Sequence, residues 1–390
     1  MAEKKLAKAF FLDRDGVLNV DTHFVSRPED FVLYPFVGEA VRRLNEAGIK
    51  AVVITNQSAV ARGLCTEDTL KEIHDRMESG LSECGAYVDG IYYSTYHPDF
   101  SEDAAEALRR KPAPGMLLEA ATDLDISLSD SFMVGDNERD ILAGMHAGCK
   151  TIAVSTGKGY RKAARMADYF FRDLKEAVDF VVDAPFLSVS EEIERRVRAA
   201  HTGAPFLIRI GGNTGSGKST LARWVCDYLN ERGLRTGIVA LNDWIVPRES
   251  RSLYAGMETV FQIERLAKDL SQYLEGESVV VSGYARHPEH STVPVEYRYS
   301  GESVVLVEGV SAFSDALDLI PWNMSIGFED AGYDLLEHVQ EMYRWKGLSD
   351  KEVEAVYQHK EEVEYRLVSS WLAKATLILT PRSGVYRVVR

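Results

Sequence analysis

The sequence predicts an α/β protein made of two doubly wound parallel-sheet domains, and three observations predict it. Short apolar runs that end in polar or acidic residues alternate with helix-period segments along the chain, as expected for strands covered by helices on both faces. Two such runs open the two halves: Ala9 to Leu12 leads into Asp13-Arg14-Asp15-Gly16, and Phe206 to Ile210 leads into a glycine-rich stretch from Gly211 to Thr220. The length of 390 residues accommodates two cores. The expected boundaries are a first domain over 1–186, a helical linker over 187–203 and a second domain over 204–390.

In the first half, Asp13 and Asp15 stand one residue apart after a buried strand. Gly16 lets the chain turn there, so both acids can line the crevice at the strand's carboxyl end, where open α/β sheets bind ligands. Taken alone, an acidic loop explains the pair as well. Pro35 to Gly48 reads as a helix, with Val37, Ala40, Val41 and Leu44 at helical spacing. Ile49 to Ile54 is a second strand, ending in Thr55-Asn56-Gln57-Ser58, whose hydroxyls, amides and backbone N–H groups are suitable phosphate donors. Thr66 caps a helix running to Ala86, and Gly90 to Tyr93 forms a third strand. Pro112 and Pro114 stiffen the backbone around Lys111. Ser131 to Gly135 is a fourth strand, followed by Asp136-Asn137-Glu138-Arg139-Asp140, a helix, and a fifth strand over Thr151 to Val154.

Asp13-Arg-Asp-Gly-Val-Leu-Asn19, Thr55-Asn-Gln-Ser58, Arg110-Lys-Pro112 and Gly135-Asp136, in that order, resemble the haloacid dehalogenase-like phosphatases, in detail the heptose-bisphosphate and histidinol-phosphate phosphatase branch. The resemblance covers roughly Lys5 to Asp183. It implies Asp13 as the nucleophile that forms an aspartyl-phosphate, and Asp15 as the acid that protonates the leaving oxygen and then activates water. It further implies Mg²⁺ held by Asp13, Asp136 and the backbone carbonyl of Asp15, with Thr55 and Lys111 around the transferring phosphoryl group. Asn56, Arg110 and Asn137 are candidates for substrate contacts. Asp140 reads equally as a site residue and as a first-turn helix acid. That branch commonly carries a zinc loop of cysteines and histidine. Here the corresponding positions are Ser94, Tyr96, Ala107 and Arg109, and His97 alone cannot make a tetrahedral site. The expectation is therefore no zinc, with the loop held by other contacts such as His97-Pro98 packing. No large insertion interrupts this half, so only a minimal cap is expected.

In the second half, Ser188 to Ala200 reads as a charged amphipathic helix. Gly212 to Ser219 then fits Gly-x-x-x-x-Gly-Lys-Ser between a strand and a helix, the phosphate-binding loop of nucleotide-using enzymes. Gly212, Asn213, Thr214, Gly215, Ser216, Gly217 and Thr220 would wrap ATP phosphates with backbone N–H groups. Lys218 would reach the β- and γ-phosphates, and Ser219 would ligate Mg²⁺. Asp243 and Glu308 end two further strands, Thr236 to Leu241 and Ser303 to Val307. They suit a hydroxyl-activating base and a Mg²⁺-shell or substrate carboxylate, although Asp243 also fits a helix cap. The glycine-rich motif, Asp243 and Val307-Glu-Gly-Val310 resemble the uridine kinase and phosphoribulokinase family over roughly Ala204 to Thr380. That resemblance implies a mobile lid near Arg344 and Lys346, which read equally as a basic helix end. It also implies an acceptor site near Tyr284, Arg286, His287 and His290, with Arg248 and Arg251 placed to grip an acceptor that already carries a phosphate.

The net charge of −15 disfavours a nucleic-acid or membrane-surface binder, since both need a basic face. Cys65, Cys84, Cys149 and Cys226 are scattered, and neither a signal peptide nor a membrane span is expected, so a reduced cytoplasmic setting is the simplest reading. The leading expectation is a bifunctional phosphatase and ATP-dependent kinase acting on small phosphorylated metabolites, sugar phosphates in particular. Nucleic-acid end repair is the second class, and a regulator with a decayed phosphatase half is the third.

Overall fold

The computed structural model describes residues 6–100, 102–200, 203–246, 260–284, 292–329, 340, 349–360, 364–382 and 385–388. It divides into two compact units, Met1–Ala184 and Pro185–Arg390.

The first unit carries strands β1 (Ala9–Leu12), β2 (Lys50–Asn56), β3 (Gly90–Ser94), β4 (Phe132–Gly135), β5 (Lys150–Val154) and β6 (Tyr169–Phe171). Its helices are α1 (Val37–Glu46), α2 (Glu67–Glu83), α3 (Ala104–Arg109), α4 (Gly115–Asp123), α5 (Glu138–Ala147), α6 (Tyr160–Met166) and α7 (Leu174–Asp183). The sheet order is β3-β2-β1-β4-β5-β6 and every pairing is parallel. All four residues of β1 are buried, which explains why it reads as an unbroken apolar run rather than an alternating one. The strand order reverses between β1 and β4, and Leu12 lies level with Val134. Asp13 and Asp136 therefore leave neighbouring strands at the switch point, where such sheets open a crevice. Thr66 caps α2, accepting from the Thr69 N–H, as the sequence predicts. The sixth strand, β6, is an addition to the five expected.

The second unit contains α8 (Leu187–Ala199), β7 (Phe206–Gly211), α9 (Lys218–Asn230), β8 (Thr236–Ala240), α10 (Ile263–Leu274), β9 (Ser278–Tyr284), β10 (Thr292–Arg298), β11 (Val304–Glu308), β12 (Met324–Phe328), α11 (Asp350–Lys360), α12 (Arg366–Trp371), β13 (Leu377–Arg382) and β14 (Val385–Val388). Its main sheet runs β14-β13-β12-β7-β11-β8, parallel except that β14 is antiparallel to β13. A separate antiparallel hairpin, β9 with β10, is an element that the sequence reading does not assign. The helix expected as a linker, α8, is instead tied to α9: Tyr228 donates to Glu194 at 3.1 Å, and Arg232 pairs with the same carboxylate at 3.4 Å. Among the described residues, no helix is long and apolar enough to cross a membrane.

Candidate active sites

The first site grows from the turn after β1. Gly16 adopts φ +90°, and a Cβ there would come within 3.0 Å of the Asp136 carboxyl carbon. The position thus needs glycine both for its backbone and for the approach of Asp136. A Cβ on Gly135 would lie 2.2 Å from that of Asp140, so this glycine lets α5 bring Asp140 against the sheet. Asp13 lies at the centre. Its Oδ1 accepts from Lys111 Nζ at 2.7 Å and from the Arg14 N–H at 2.8 Å, which fixes the carboxylate's rotation. Lys111, 2% exposed, also donates to the Ile54 carbonyl at 2.7 Å and pairs with Asp140 at 2.8 Å. Oxygens of Asp13, Asp136 and Asp140 all lie within 4.8 Å of one another.

This crowding sets the electrostatics. Burial, then the repulsion of Asp140, pushes the Asp13 carboxyl up to about 8 against the pull of Lys111. Burial and Asp140 likewise raise Asp136 to about 6. Lys111 stays charged: burial works against its ammonium, but Asp13 and Asp140 outweigh it and raise the pKa. Asp140 fills both roles open in the sequence. It closes a capping box with Asn137 on α5, accepting from the Asn137 N–H at 3.0 Å, and it is the second acid on Lys111.

Asp15 is turned to a different set of partners. Arg14, wholly buried, places Nη2 2.9 Å from each Asp15 oxygen. Asn19 donates to the same carboxylate at 3.0 Å and Gln57 at 2.9 Å. Burial opposes the charge, yet Arg14, Asn19 and Gln57 together hold this carboxyl below its usual range. His74 lies behind Arg14, with its Nε2 3.5 Å from Nη1; burial, then the guanidinium, lowers it to about 4. Thr55 is buried and accepts from Gln57 at 2.7 Å.

Two expected substrate residues have other duties. Asn56 holds the backbone of Lys111 at both ends, donating to its carbonyl at 2.9 Å and accepting from its N–H at 3.0 Å. Asn137 is the N-cap of α5. In this arrangement both side chains hold backbone groups in place. Arg110 donates to the Tyr96 carbonyl at 2.8 Å, and burial, then the nearby charges of Arg139 and Arg62, lowers its pKa. In the loop beyond β3, Arg62 is a central contact, and His97 also packs on Phe100 with ring centres 5.4 Å apart. Arg62 contacts His97 Nε2 at 2.7 Å and lies over the rings of Phe24 and Phe100, 5.7 and 5.5 Å from their centres. Arg14, His74, Arg62 and Arg139 are the residues that sequence reasoning missed. Only Arg14 carried a signal, its place inside Asp-Arg-Asp.

The second site lies at the carboxyl edge of the other sheet. Glu308 is level with Ile210 and with Ala240, so the end of β11 stands beside the glycine-rich loop and the turn that carries Asp243. Gly215 and Gly217 have φ of +84° and +94°, the left-handed conformations that turn successive N–H groups inward. Lys218 Nζ donates to the Asn213 carbonyl at 2.6 Å, Ser219 to Glu308 at 2.9 Å, and Thr214 to Glu364 at 2.6 Å. Gly212, Ser216 and Thr220 complete the stretch from β7 into α9. Asp243 lies in the short 3₁₀ turn Leu241–Trp244 and accepts from the Tyr297 hydroxyl. Tyr284 closes β9. Arg248, Arg251, Arg286, His287, His290, Arg344 and Lys346 lie outside the described residues.

Residues 108–177 match the HAD-hydrolase-like family model. The chain is 38% identical over 178 residues to D-glycero-beta-D-manno-heptose-1,7-bisphosphate 7-phosphatase of Haemophilus ducreyi, a span of 45% of this chain and 98% of that protein. Among solved structures it is similar to D,D-heptose 1,7-bisphosphate phosphatase from B. bronchiseptica, complexed with magnesium and phosphate (35% identity, 45% of this chain and 99% of that chain, TM-score 0.42). It is also similar to a "possible uridine kinase" from Bacillus stearothermophilus (15% identity, 48% of this chain and 98% of that chain, TM-score 0.35). The Haemophilus ducreyi protein is matched over nearly its whole length, and by that likeness the chain belongs to the HAD-like family of heptose-bisphosphate phosphatases.

Proposed function

We propose that the protein is a bifunctional enzyme that hydrolyses a phosphomonoester in its first unit and phosphorylates a hydroxyl from ATP in its second. The observation that carries the first half is the buried Asp13–Lys111–Asp140 constellation with Asp136 beside it. Asp13, in its ionised form, attacks phosphorus, forming the Asp13–phosphoryl bond as the bond to the leaving oxygen breaks. Lys111 and Thr55 offset the charge spread over the transferring group. Asp15 gives its proton to the leaving oxygen and takes one from the water that hydrolyses the intermediate. In the present arrangement Arg14 holds Asp15 ionised, the form needed for the second step, so the first step requires Asp15 to exchange Arg14 for the leaving oxygen.

The donor set fits Mg²⁺. Three buried carboxylates converge and one lysine cannot neutralise them all, so a hard, oxygen-seeking cation answers the excess charge. Asp140 is engaged by Lys111 and the Asn137 N–H, which leaves Asp13 and Asp136, with the main-chain carbonyl of Asp15, as the protein ligands. When bound, the cation supplies further charge compensation to the phosphoryl oxygens.

The substrate we infer is a sugar bisphosphate, a heptose 1,7-bisphosphate as for the named relatives. Arg62, Arg110 and Arg139 lie close enough for the two outer charges to lower the pKa of Arg110, and a second phosphate would answer that repulsion. The second unit, with Lys218 in the loop and Ser219 joined to Glu308, would use ATP and Mg²⁺ to make the bisphosphate from a sugar monophosphate. Net, phosphate would then move from one end of the sugar to the other for one ATP. The test uses two full-length variants. Asp13→Asn should release no phosphate from the bisphosphate yet form ADP with the heptose that carries phosphate on O7 alone, and Lys218→Ala should do the reverse. Phosphate release by Asp13→Asn would sink the first assignment, and ADP formation by Lys218→Ala the second.

A further inference from the structure

The acid at the end of β8 has a dedicated partner outside every motif of the sequence. Tyr297 reaches Asp243 from β10, in the hairpin that sequence reasoning does not assign. Its phenol oxygen accepts from the Ala240 N–H at 3.2 Å and lies against Asp243 Oδ2. An N–H can only donate, so the phenol proton is left to point at the carboxylate. The Tyr297 ring cannot swing away easily. Trp244 stacks on it with centres 5.4 Å apart and planes 20° apart, and Tyr273 meets it edge-on at 6.4 Å. Trp244 is itself fixed by its indole N–H, which donates to Asp269 at 2.9 Å. Burial, then the bond to Asp243, pushes the Tyr297 phenol well above its ordinary pKa, with a smaller contribution from the Glu308 charge. The hydroxyl thus stays protonated and lies within the field of both sheet-end acids.

We infer that Tyr297 is a positioning residue for phosphoryl transfer in the second unit: it sets the rotation of the Asp243 carboxylate so that this group meets the acceptor hydroxyl in a fixed orientation. The inference rests on the reading of the second unit as a kinase with Asp243 as its base. A base must lie within hydrogen-bond reach of the proton it takes, and the Tyr297 hydroxyl, held by the Ala240 N–H and by the rings of Trp244 and Tyr273, gives the Asp243 carboxylate a fixed donor on one oxygen. The backbone end of the link matters equally. Because the phenol is anchored on Ala240, the last residue of β8, the base is held in register with the strand that carries it.

The experiment is a double-mutant cycle on the full-length protein, reading ADP formation with ATP and the heptose that carries phosphate on O7 alone. Tyr297→Phe keeps the ring on Trp244 and removes only the hydroxyl. It should lower kcat by about 10- to 100-fold, a share of the usual general-base contribution, with the KM for ATP within about twofold of wild type. In an Asp243→Asn background the same change should have no further effect, because Tyr297 acts through Asp243. An unchanged kcat, or an equal loss in both backgrounds, would overturn the positioning role and reduce Tyr297 to packing. Absence of ADP formation by the unmodified protein would instead overturn the kinase reading and this inference with it.

Discussion

Lys111→Met tests the electrostatics of the phosphatase site most directly. Methionine keeps the apolar stem and removes the ammonium, whose side chain is 1% exposed, as is that of its partner Asp140. Three contacts of 2.7 to 2.8 Å disappear at once. Removing one partner of a buried pair costs about 3–5 kcal/mol, because the remaining charge is left uncompensated. The lower end is expected here, since the orphaned acids can take up a proton: Asp13 is at about 8 even with Lys111 in place. A loss of about 3 kcal/mol should lower the unfolding midpoint of a unit this size by roughly 6–12 °C. The sign with pH follows from the direction of the shift. A carboxyl whose folded pKa is raised binds protons more readily in the folded state, so stability grows as pH falls through the folded value toward the ordinary carboxylate range. The deficit of Lys111→Met should thus be largest above pH 8 and shrink toward pH 5. Adding Asp140→Asn removes one of the stranded charges and should return about half of the loss. Thermal unfolding of metal-free protein at pH 5 and pH 8.5 reads all of this. A deficit below about 1 kcal/mol at the higher pH, an equal deficit at both, or no recovery in the double variant would refute the reasoning.

Two further outcomes are expected from the same geometry. Mg²⁺ at about one hundred times its dissociation constant should stabilise the metal-free protein by about 2.7 kcal/mol, visible as a rise in midpoint that Asp136→Asn abolishes; an equal rise in the variant would place the cation elsewhere. Arg110→Ala should raise KM for the bisphosphate by about 10- to 100-fold, the worth of one charged hydrogen bond to phosphate, while hydrolysis of para-nitrophenyl phosphate, which has no second phosphate, stays near wild type. Equal losses on both substrates would show that Arg110 serves the loop through Tyr96 and not the substrate.

The parts of this molecule that could be read from sequence are those where burial and punctuation coincide. β1 is uniformly apolar and β7 is apolar but for Arg209, because both strands are central, and each stops at residues whose chemistry is unmistakable. Asp13, Asp136 and the Lys218 loop stand where strand ends place them, and Lys111 lies in the proline-stiffened turn between α3 and α4. What could not be read depends on long-range burial of polar groups. Nothing local distinguishes a fully buried Arg14 from an exposed one, nor links it to His74 sixty residues on. Asn56 and Asn137 have the right chemistry for a phosphate, but the backbone of Lys111 and the start of α5 claim them first. The β9–β10 hairpin escaped detection because Pro294 lies inside its second strand, a residue that argues against strand pairing, and the intervening segment lacks a short turn signal.

Asn56 holds Lys111 by donating to its carbonyl and accepting from its N–H, the two bonds that a peptide group in an adjoining strand would make. One side-chain amide, on the last residue of β2, therefore acts as a single rung between the strand and a turn that is not itself a strand. Lys111 is thereby joined through both of its backbone groups to the strand that carries Thr55. The placement of the Lys111 ammonium is thus set by the sheet itself, through a link that lies on the inner side of its loop.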